Sequence, residues 1–464
     1  MMTQLPTERK PRALLAFYGD DFTGASENMA QYHRYGLKTF MFLDLPAPAQ
    51  FAEKAREFDV VGIAGIARSL SPDAMVREVE PAFGLFREAG IRLVQYKLCS
   101  TFDSSQLVGN LAVVANLARR VFPECLLPVF AATPEFGRYT MFGHHFARFG
   151  DGVFRLDRHP SMSRHPTTPM SESDLSRILE EQGAPTVGLV DIRALEDGLK
   201  EVQDVLARER RRVEGPIVFD GMRDDHCTLV AETLWHVSET EPVVVMAAQG
   251  FAQGFGRFRN GRPDVAKAPA EALSPIDRLL VLSGSSAPLT ARQIACFAES
   301  GGVLVRLTAS RAIDPGAATC ALEEAFRSAS KELGEGRSVC IFTALGPEDE
   351  DTPALRAASD RLRLDHGEAS RRVGSALAEV ALRLIERHDL RRVVIAGGDT
   401  SSYALRAMQP DGLAVASGDY AASAHVFRLS GRGAVDGLEI TLKGGQVGDE
   451  GFFARLRNGR AASH

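Results

Sequence analysis

The sequence lacks the features that mark membrane, secreted and nucleic-acid-binding proteins. No stretch of the 464 residues approaches an uninterrupted apolar run of about 18 residues, and the amino terminus has no apolar signal core. The six cysteines are scattered without a close pair, which is typical of reduced thiols rather than of a disulfide framework or a zinc site. The formal charge is −6, and Lys and Arg are spread along the chain, so nucleic acid and membrane surfaces are not expected as partners. We expect a soluble, cytoplasmic protein.

Two well-known nucleotide-binding motifs are absent as well. The sequence contains no Gly-x-x-x-x-Gly-Lys-Ser/Thr motif, which excludes the P-loop class. Its Gly-rich stretches do not form the Gly-x-Gly-x-x-Gly fingerprint, which argues against a dinucleotide-dependent dehydrogenase. Any nucleotide site must therefore be built from other turns.

The length and the order of segments predict an α/β fold with two domains. The chain is too long for one typical core, and apolar strand-like runs alternate with helix-like segments. This alternation predicts that each domain is a mostly parallel sheet flanked by helices. A stretch of Gly, Arg, Pro and Ala marks a linker, so we predict domains at residues 1–256 and 276–464 with a linker at 257–275. Residues Gly143–Met170 show little periodicity and are predicted to form a long structured loop or lid.

The most informative stretch is the first strand-to-helix joint. The apolar run Ala13–Tyr18 predicts a strand that is buried on both faces, and a glycine follows it before the adjacent carboxylates of Asp20 and Asp21. Ligands of open α/β sheets bind beyond the carboxyl ends of strands. We predict that one aspartate orients or deprotonates an attacking hydroxyl, while the other caps the next helix or contacts another hydroxyl. The sequence does not decide between them, although Asp21 is nearer the helix start; Thr23 and Ser26 are alternative caps.

The second predicted domain contains three small Gly-rich turns, each close to the end of an apolar strand. Paired glycines at a helix start let a phosphate approach backbone N–H groups, where the helix dipole favours negative charge. Each turn on its own could also be an ordinary tight connection. Asp399 could meet the magnesium ion that accompanies a nucleotide. The turns are Ser283-Gly284-Ser285-Ser286, Gly397-Gly398-Asp399-Thr400-Ser401 and Lys443-Gly444-Gly445.

Several cations of the first domain are candidates for binding a substrate carboxylate. These are Arg68, Lys97 and either Arg164 or His165, and arginine suits this role through bidentate pairing. The alternative for each is an ordinary surface cation. Lys97 is the hardest to dismiss because it ends a buried-type strand and precedes a Ser/Thr-rich turn. Cys99 in that turn is expected to be a buried structural thiol.

The opening turn also carries a resemblance to a known family. Gly-Asp-Asp-Phe-Thr-Gly-Ala at residues 19–25 resembles the first motif of the four-carbon acid sugar kinase family, whose members phosphorylate threonate, erythronate and 3-oxo-tetronate with ATP. Further stretches are similar to motifs of this family and, in the first domain, of its 3-oxo-tetronate kinase branch. In chain order they are Arg68-Ser69, Lys97 with Cys99–Ser104 and Gly109-Asn110, Thr133–Arg138, His165–Met170, Ser283-Gly284-Ser285, Gly397–Thr400 and Lys443-Gly444-Gly445.

The resemblance implies an ATP-dependent sugar-acid kinase whose active site lies in the cleft between the domains. The first domain would bind the acid and the second would bind ATP with Mg²⁺. The implied acid-binding residues are Arg68, Lys97, Ser100, Thr101, Asp103, Arg164 and His165. The implied nucleotide-binding residues are Ser283, Ser285, Gly397, Gly398, Asp399, Thr400 and Gly445, with Asp399 also at the metal.

Departures from the family pattern leave the particular acid open. Gly65-Ile66-Ala67 precedes Arg68 where Asn-Thr is usual, and Gln106–Val108 lengthens the turn before Gly109. Most departures lie on the substrate side, so a branched five-carbon 3-oxo acid such as 3-oxo-isoapionate is an alternative to a four-carbon acid. A non-catalytic sugar-acid or ATP sensor on the same fold is a second alternative. Asp103 is the next choice for the base, and a homo-oligomer is left open.

Overall fold

The structure is a computed structural model that describes residues 13–165, 167–260, 273–421 and 424–459, without the side chains at 399, 418–421 and 424. The chain divides into two compact units, Met1–Ala268 and Pro269–His464. In the part of the chain that is described, no helix has the length and apolar character needed to cross a membrane.

The first unit is built on a sheet in which every pair of neighbouring strands is parallel. Across the sheet the strands are β2 (Thr39–Phe42), β3 (Val60–Ala64), β1 (Leu15–Gly19), β4 (Leu93–Lys97), β11 (Val243–Ala247), β5 (Pro128–Phe130), β10 (Ile217–Phe219) and β9 (Gly188–Val190). Every residue of β1, β3, β4 and β11 is buried, which accounts for their continuous apolar runs.

Helices flank this sheet as the alternating pattern predicts. They are α1 (Phe22–Arg34), α2 (Pro48–Glu57), α3 (Pro72–Glu88), α4 (Leu111–Val121), α5 (Leu175–Glu181), α6 (Ile192–Asp197), α7 (Leu199–Arg212), α8 (Asp224–Ser238) and α9 (Gln249–Arg259). Helices α8 and α9 pack closely because Gly254 lacks a side chain: a Cβ there would lie 2.1 Å from the carbonyl oxygen of Cys227.

The predicted loop or lid at Gly143–Met170 is largely a small sheet instead. β6 (Arg138–Met141), β7 (His144–Phe149) and β8 (Gly152–Arg155) pair antiparallel, and two 3₁₀ turns follow at Leu156–Arg158 and Met162–Arg164. The alternation of apolar and polar residues that marks a strand is not visible in the sequence of β7, because one of its inward positions carries His145, which is fully buried. Polar residues at inward positions do not register as an apolar alternation.

The second unit contains a sheet with a parallel part and an antiparallel part. Across the sheet the strands are β13 (Val303–Arg306), β14 (Val339–Phe342), β12 (Leu280–Ser283), β15 (Arg392–Ala396), β18 (Glu439–Lys443), β17 (Ala424–Ser430) and β16 (Gly412–Ala421). The pairs up to β18 are parallel, and β18–β17 and β17–β16 are antiparallel. The helices are α10 (Pro288–Glu299), α11 (Ala309–Ala312), α12 (Ala318–Gly334), α13 (Thr352–Leu362), α14 (His366–His388), α15 (Asp399–Ala407) and α16 (Phe452–Asn458).

The stretch predicted as a linker is structured at both of its ends. Helix α9 continues through Arg259, because its glycines serve helix packing rather than a flexible connection. At the other end, Leu273 is only 7% exposed in the core of the second unit, and the carbonyl oxygen of Ser274 accepts a hydrogen bond from Arg392. Residues 261–272 of the predicted linker lie outside the described residues.

Candidate functional site

The carboxyl ends of β1, β3 and β4 bring four of the predicted site residues together in the first unit. Gly19 at the end of β1 is level with Ala64 of β3 and with Lys97 of β4. The backbone N–H of Asp20 donates to the carbonyl of Lys97 at 3.1 Å, and that of Arg68 donates to the carbonyl of Asp20 at 3.0 Å. The turns after three strands are therefore in direct contact.

Arg68 forms an ion cluster with both aspartates. Its Nε donates to Asp20 Oδ2 at 3.2 Å, and its Nη2 donates to Asp20 Oδ1 and to Asp21 Oδ1, each at 2.6 Å. Two of the three guanidinium nitrogens of Arg68 thus bind these aspartates, and its predicted role toward the substrate carboxylate stays a prediction. Only Nη1 makes no hydrogen bond to either of them.

The two aspartates have different surroundings. The side chain of Asp20 is 4% exposed, and burial raises its pKa, while Arg68 and Lys97 act in the opposite direction. The side chain of Asp21 is 30% exposed, and its Oδ1 accepts a hydrogen bond from the backbone N–H of Gly24 at 3.1 Å. Asp21 is therefore the N-cap of α1, rather than Thr23 or Ser26. Its other oxygen, Oδ2, makes no hydrogen bond with any described residue.

Lys97 is a buried cation beside this cluster. Lys97 is only 1% exposed, and its Nζ donates a hydrogen bond to the carbonyl of Leu98 at 2.6 Å. A Cβ at Gly24 would lie 3.1 Å from this nitrogen, so the ammonium reaches the start of α1. Within the described ranges no carboxylate forms an ion pair with it. Because a buried charge without a partner is costly, this ammonium favours an anionic ligand.

The turn after β4 carries Ser100, Thr101 and Asp103, which are among the predicted acid-binding residues. Thr101 Oγ1 donates to Asp103 Oδ1 at 2.8 Å and lies 3.1 Å from the sulfur of Cys99, which is half-buried. Burial raises the pKa of the Cys99 thiol, and the nearby Arg68 and Lys97 act in the opposite direction. The turn is strained, because Phe102 has a φ of 59° although it is not a glycine.

The predicted roles of Arg164 and His165 toward the substrate stay predictions. Arg164 is exposed at the end of the second 3₁₀ turn, and His165 Nδ1 accepts a hydrogen bond from the backbone N–H of Thr168 at 3.0 Å. Among the described residues no hydrogen bond or ion pair joins either of them to Arg68 or Lys97.

In the second unit the three Gly-rich turns meet at the carboxyl ends of β12, β15 and β18. The N–H of Gly284 donates to the carbonyl of Ala396 at 3.0 Å, and that of Gly397 donates to the carbonyl of Lys443 at 3.0 Å. A Cβ at Gly284 would lie 2.3 Å from Cγ2 of Thr400. The close contact with Thr400 therefore requires glycine at position 284, without reference to any ligand.

Gly398 differs from its neighbours because no atom lies within 4 Å of the position that its Cβ would take. It is the N-cap residue of α15. Gly397 needs glycine for its φ of 145°. Gly398 combines a φ of −68° with a ψ of −94°, which lies outside the regions that residues with a side chain favour, so its backbone also suits glycine. The side chain of Asp399 lies outside the described part, so its predicted role at a metal stays a prediction.

Lys443 is a buried cation that the sequence analysis named only as part of a turn. It is 1% exposed, and its Nζ donates to Thr290 Oγ1 at 3.0 Å; that hydroxyl donates in turn to the carbonyl of Gly445 at 2.8 Å. Burial lowers the pKa of Lys443 to about 8. No ion pair neutralises it within the residues that the structure describes. Its end-of-strand position, shared with Lys97, was the signal that could have identified it.

A cavity of about 440 Å³ opens beside Gly284 and Thr400 in the second unit. Its volume is within the usual range for a small-molecule site. The sequence analysis did not name most of the residues that line the cavity, because their pattern in the sequence indicates only amphipathic helices. They include Asp351, Thr352, Leu355, Leu364, His366, Ala369 and Val373.

Two family models match most of the chain. Residues 15–255 match a sugar-binding N-terminal domain, and residues 280–453 match a nucleotide-binding C-terminal domain. The chain belongs to the four-carbon acid sugar kinase family. The predicted family, the two-domain α/β class and the class of enzyme, a phosphotransferase acting on a sugar-acid hydroxyl, are thereby confirmed.

Individual members of the sugar kinase family resemble this chain over nearly its full length. A 3-oxo-isoapionate kinase of Paraburkholderia graminis is 35% identical, with 97% of this chain and 95% of that protein covered. A 3-oxo-tetronate kinase of Pectobacterium atrosepticum is 27% identical, with coverage of 97% and 99%. A solved structure of a Haemophilus influenzae protein shares the fold, with a TM-score of 0.76 at 22% identity over 95% of this chain and 98% of that one.

Proposed function

We propose that this protein transfers the γ-phosphoryl group of ATP to a hydroxyl of a 3-oxo sugar acid. The observation that carries the proposal is the buried ammonium of Lys97, which has no carboxylate partner among the described residues and lies beside two aspartates at the end of β1. This cluster belongs to the region that matches a sugar-binding domain. A cation and a base side by side suit an anionic substrate with a reactive hydroxyl.

Asp21 is our candidate for the base. Its Oδ2 is free of hydrogen bonds with described residues, whereas its Oδ1 accepts from Gly24 and Arg68. Both oxygens of the more deeply buried Asp20 accept from Arg68. Arg68 then acts as a positioning residue that fixes both carboxylates, and Thr101 and Asp103 bind further hydroxyls of the acid.

The proposed reaction is an in-line displacement at phosphorus. The substrate hydroxyl oxygen forms a bond to the γ-phosphorus, and the bond from that phosphorus to the bridging oxygen of ADP breaks. The hydroxyl proton passes to the Asp21 carboxylate, and ADP leaves with the bonding electron pair. Because little covalent chemistry falls to the protein, its contribution is the placement of charges and of the two reactants.

The second unit is proposed to bind the ATP. The N–H groups at the start of α15 and the open space at Gly398 suit a phosphate, and the cavity beside Gly284 and Thr400 suits the nucleoside. Lys443 would add the positive charge, since a phosphate would supply the anion that it lacks. No cluster of three or more metal-binding side chains occurs in the residues described, and magnesium at Asp399 rests on the sequence alone. A nucleotide-bound Mg²⁺ needs only one or two carboxylates.

The substrate is proposed to be a branched five-carbon 3-oxo acid such as 3-oxo-isoapionate, with 3-oxo-tetronate as the second candidate. The support is the higher identity, 35%, to the 3-oxo-isoapionate kinase than to the 3-oxo-tetronate kinase, at 27%. The departures around Arg68 and before Gly109 lie in the sugar-binding region, as a change of acid would require. A cytoplasmic location, a homo-oligomer and a reaction in the cleft between the domains stay predictions.

An ADP-release assay over a panel of acids tests the function and the substrate together. We expect the highest kcat/KM on 3-oxo-isoapionate, a lower value on 3-oxo-tetronate, threonate and erythronate, and none on a polyol of equal length. The Lys97→Met variant should lose turnover on every acid, because the buried cation is removed. ATP binding without turnover on any acid would contradict the proposal and favour the sensor instead.

A further inference from the structure

Arg138 lies on a face of the small antiparallel sheet that is otherwise uncharged. Arg138 and Thr140 are two residues apart in β6, so their side chains share a face, and they are level with Ala147 and His145 of β7. Thr140, His145 and Ala147 are fully buried. Burial lowers the pKa of His145 to about 4, so the imidazole is neutral at physiological pH. Arg138 is thus the one charged side chain on this face of the described strands.

This face packs against the turn that follows β4 in the sugar-binding unit. His145 Nε2 lies 2.9 Å from the carbonyl oxygen of Ser100, and its Nδ1 lies 2.9 Å from Thr140 Oγ1. A carbonyl can only accept, so Nε2 carries the proton and Nδ1 accepts from the Thr140 hydroxyl. The neighbouring Arg138 therefore faces the same turn, and Cys99 and Asp103 in it counteract the effect of burial on the pKa of Arg138.

The guanidinium of Arg138 lacks an acidic partner. Its Nη1 donates to the carbonyl of Phe136 at 2.9 Å, and its buried Nε has no hydrogen-bond partner. No carboxylate lies within ion-pair distance of it in the described part of the chain. By contrast, Arg68 gives Nε and Nη2 to two aspartates. Of these two arginines, Arg138 is the one whose charge is still uncompensated.

We propose that Arg138 binds the carboxylate of the sugar acid, the role that the sequence assigned to Arg68. Together with Lys97 it places two uncompensated cations around the turn Cys99–Asp103, which suits a carboxylate whose other end carries the reacting hydroxyl. An arginine can bind a carboxylate with two parallel hydrogen bonds, which a lysine cannot do. The inference rests on the proposed function only in that the ligand is a sugar acid.

The test compares the binding of an acid with the binding of its neutral amide. Calorimetry is performed on the full chain with the tightest-binding acid of a panel (erythronate, threonate, 3-oxo-isoapionate) and with the corresponding amide. Arg138→Gln should weaken binding of the acid by at least about tenfold, while binding of the amide changes little. Arg138→Lys should lie between the two, because it keeps the charge but loses the bidentate geometry. The KM for ATP should not change.

Arg148→Gln is the matched control, because Arg148 is exposed in β7 of the same sheet and should leave acid binding unaltered. Equal affinity of wild type and Arg138→Gln for the acid would overturn the inference. An equal loss for acid and amide would overturn it too, because it would show a merely structural role. If wild type binds acids in an Arg138-dependent way but releases no ADP, the kinase proposal fails and the inference stands. If wild type binds no acid, both fail.

Discussion

In the first unit a single arginine holds the carboxylates of two aspartates in place. Arg68 joins Asp20, which is almost fully buried, to Asp21, which is partly exposed. The sequence left open which aspartate acts as the base, and this arrangement supports the proposal that it is Asp21, whose Oδ2 makes no hydrogen bond with a described residue. Both oxygens of Asp20 accept from Arg68.

Replacement of Asp21 by Asn should lower kcat by roughly 10²–10⁴-fold, because an amide cannot accept the hydroxyl proton. The affinity for ATP should stay close to that of wild type, since the nucleotide turns belong to the other unit. The amide oxygen can still cap α1 and accept from Arg68, so the thermal stability should change little. Single-turnover phosphoryl transfer is the appropriate measurement, since it separates chemistry from product release.

Asp20→Asn is the matched comparison, because it sits one residue away and also binds Arg68. It should lower stability, since the ionic contact of a buried carboxylate with Arg68 is weakened, and it should reduce the single-turnover rate less than Asp21→Asn does. Near-normal rates for both variants would show that the base lies elsewhere, and Asp103 would be tested next. A larger loss of rate for Asp20→Asn would exchange the two roles.

The sequence predicted which residues meet in the first unit better than it predicted what they do there. Asp20, Asp21, Arg68 and Lys97 follow or end neighbouring parallel strands, and such ends share one edge of a sheet. The pairing of Arg68 with the aspartates depends on side-chain directions, which no spacing reveals. The sequence analysis named Arg138 only as part of the motif Thr133–Arg138. It could not identify Arg138 as a site residue, because the face on which it lies is formed only when β6 and β7 pair.

At the scale of secondary-structure elements, the turn before α15 is defined by two glycines with different reasons for being glycine. Gly397 has a positive φ of 145°, and Gly398 has a φ of −68° with a ψ of −94°. Apart from its chain neighbours, no described atom lies within 4 Å of the position that a Cβ at Gly398 would take. The backbone conformation is one reason for glycine there, and the proposed approach of a phosphate to the helix N-terminus would be a second.

Gly398→Val should weaken ATP binding by at least tenfold, or about 1.4 kcal/mol, in a protein that is still folded. The measurement is calorimetric titration with ATP, accompanied by a thermal melt. Gly316→Val is the control in the same unit: the nearest atom to its Cβ position is Asp314 Oδ1 at 3.5 Å, an ordinary contact, and it lies far from the turns in the sequence. Gly284→Ala should instead lose stability, because its Cβ would overlap Thr400. Unchanged ATP affinity in folded Gly398→Val would remove this turn from the site.

Elements were predicted well where they are long and apolar and poorly where they are not. The strand at Arg392–Ala396 lies where the sequence places it, because it is a continuous apolar run between charged and Gly-rich flanks. Strands β7 and β8 of the small sheet lie in the stretch Gly143–Met170, which was predicted to be a loop or lid because the inward positions of β7 include His145. The antiparallel β16 and β17 also gave no clear signal, because small residues interrupt their apolar positions.

For the whole molecule, the two compact units agree in outline with the two family models, which cover residues 15–255 and 280–453. The second unit begins earlier than the predicted domain start at 276. Leu273 is buried in its core, and the carbonyl of Ser274 accepts from Arg392, a residue that is only 1% exposed. A boundary placed by composition misses such residues, because a single leucine in a Pro- and Ala-rich stretch carries no periodic signal.

This difference makes the boundary testable with two fragments, residues 269–464 and residues 276–464. We expect the longer fragment to fold cooperatively and to bind ATP, because its hydrophobic core and its Gly-rich turns lie within it. The shorter fragment should be less stable by about 2 kcal/mol or more, since it loses the buried Leu273 and leaves a donor of Arg392 without its partner. Urea unfolding measures the difference, and Leu273→Ala in the longer fragment separates the contribution of the side chain from that of the Ser274 carbonyl.

Equal stability of the two fragments would show that residues 269–275 are dispensable and that the unit starts where the sequence analysis placed it. A longer fragment that is unfolded would show that the second unit depends on the first.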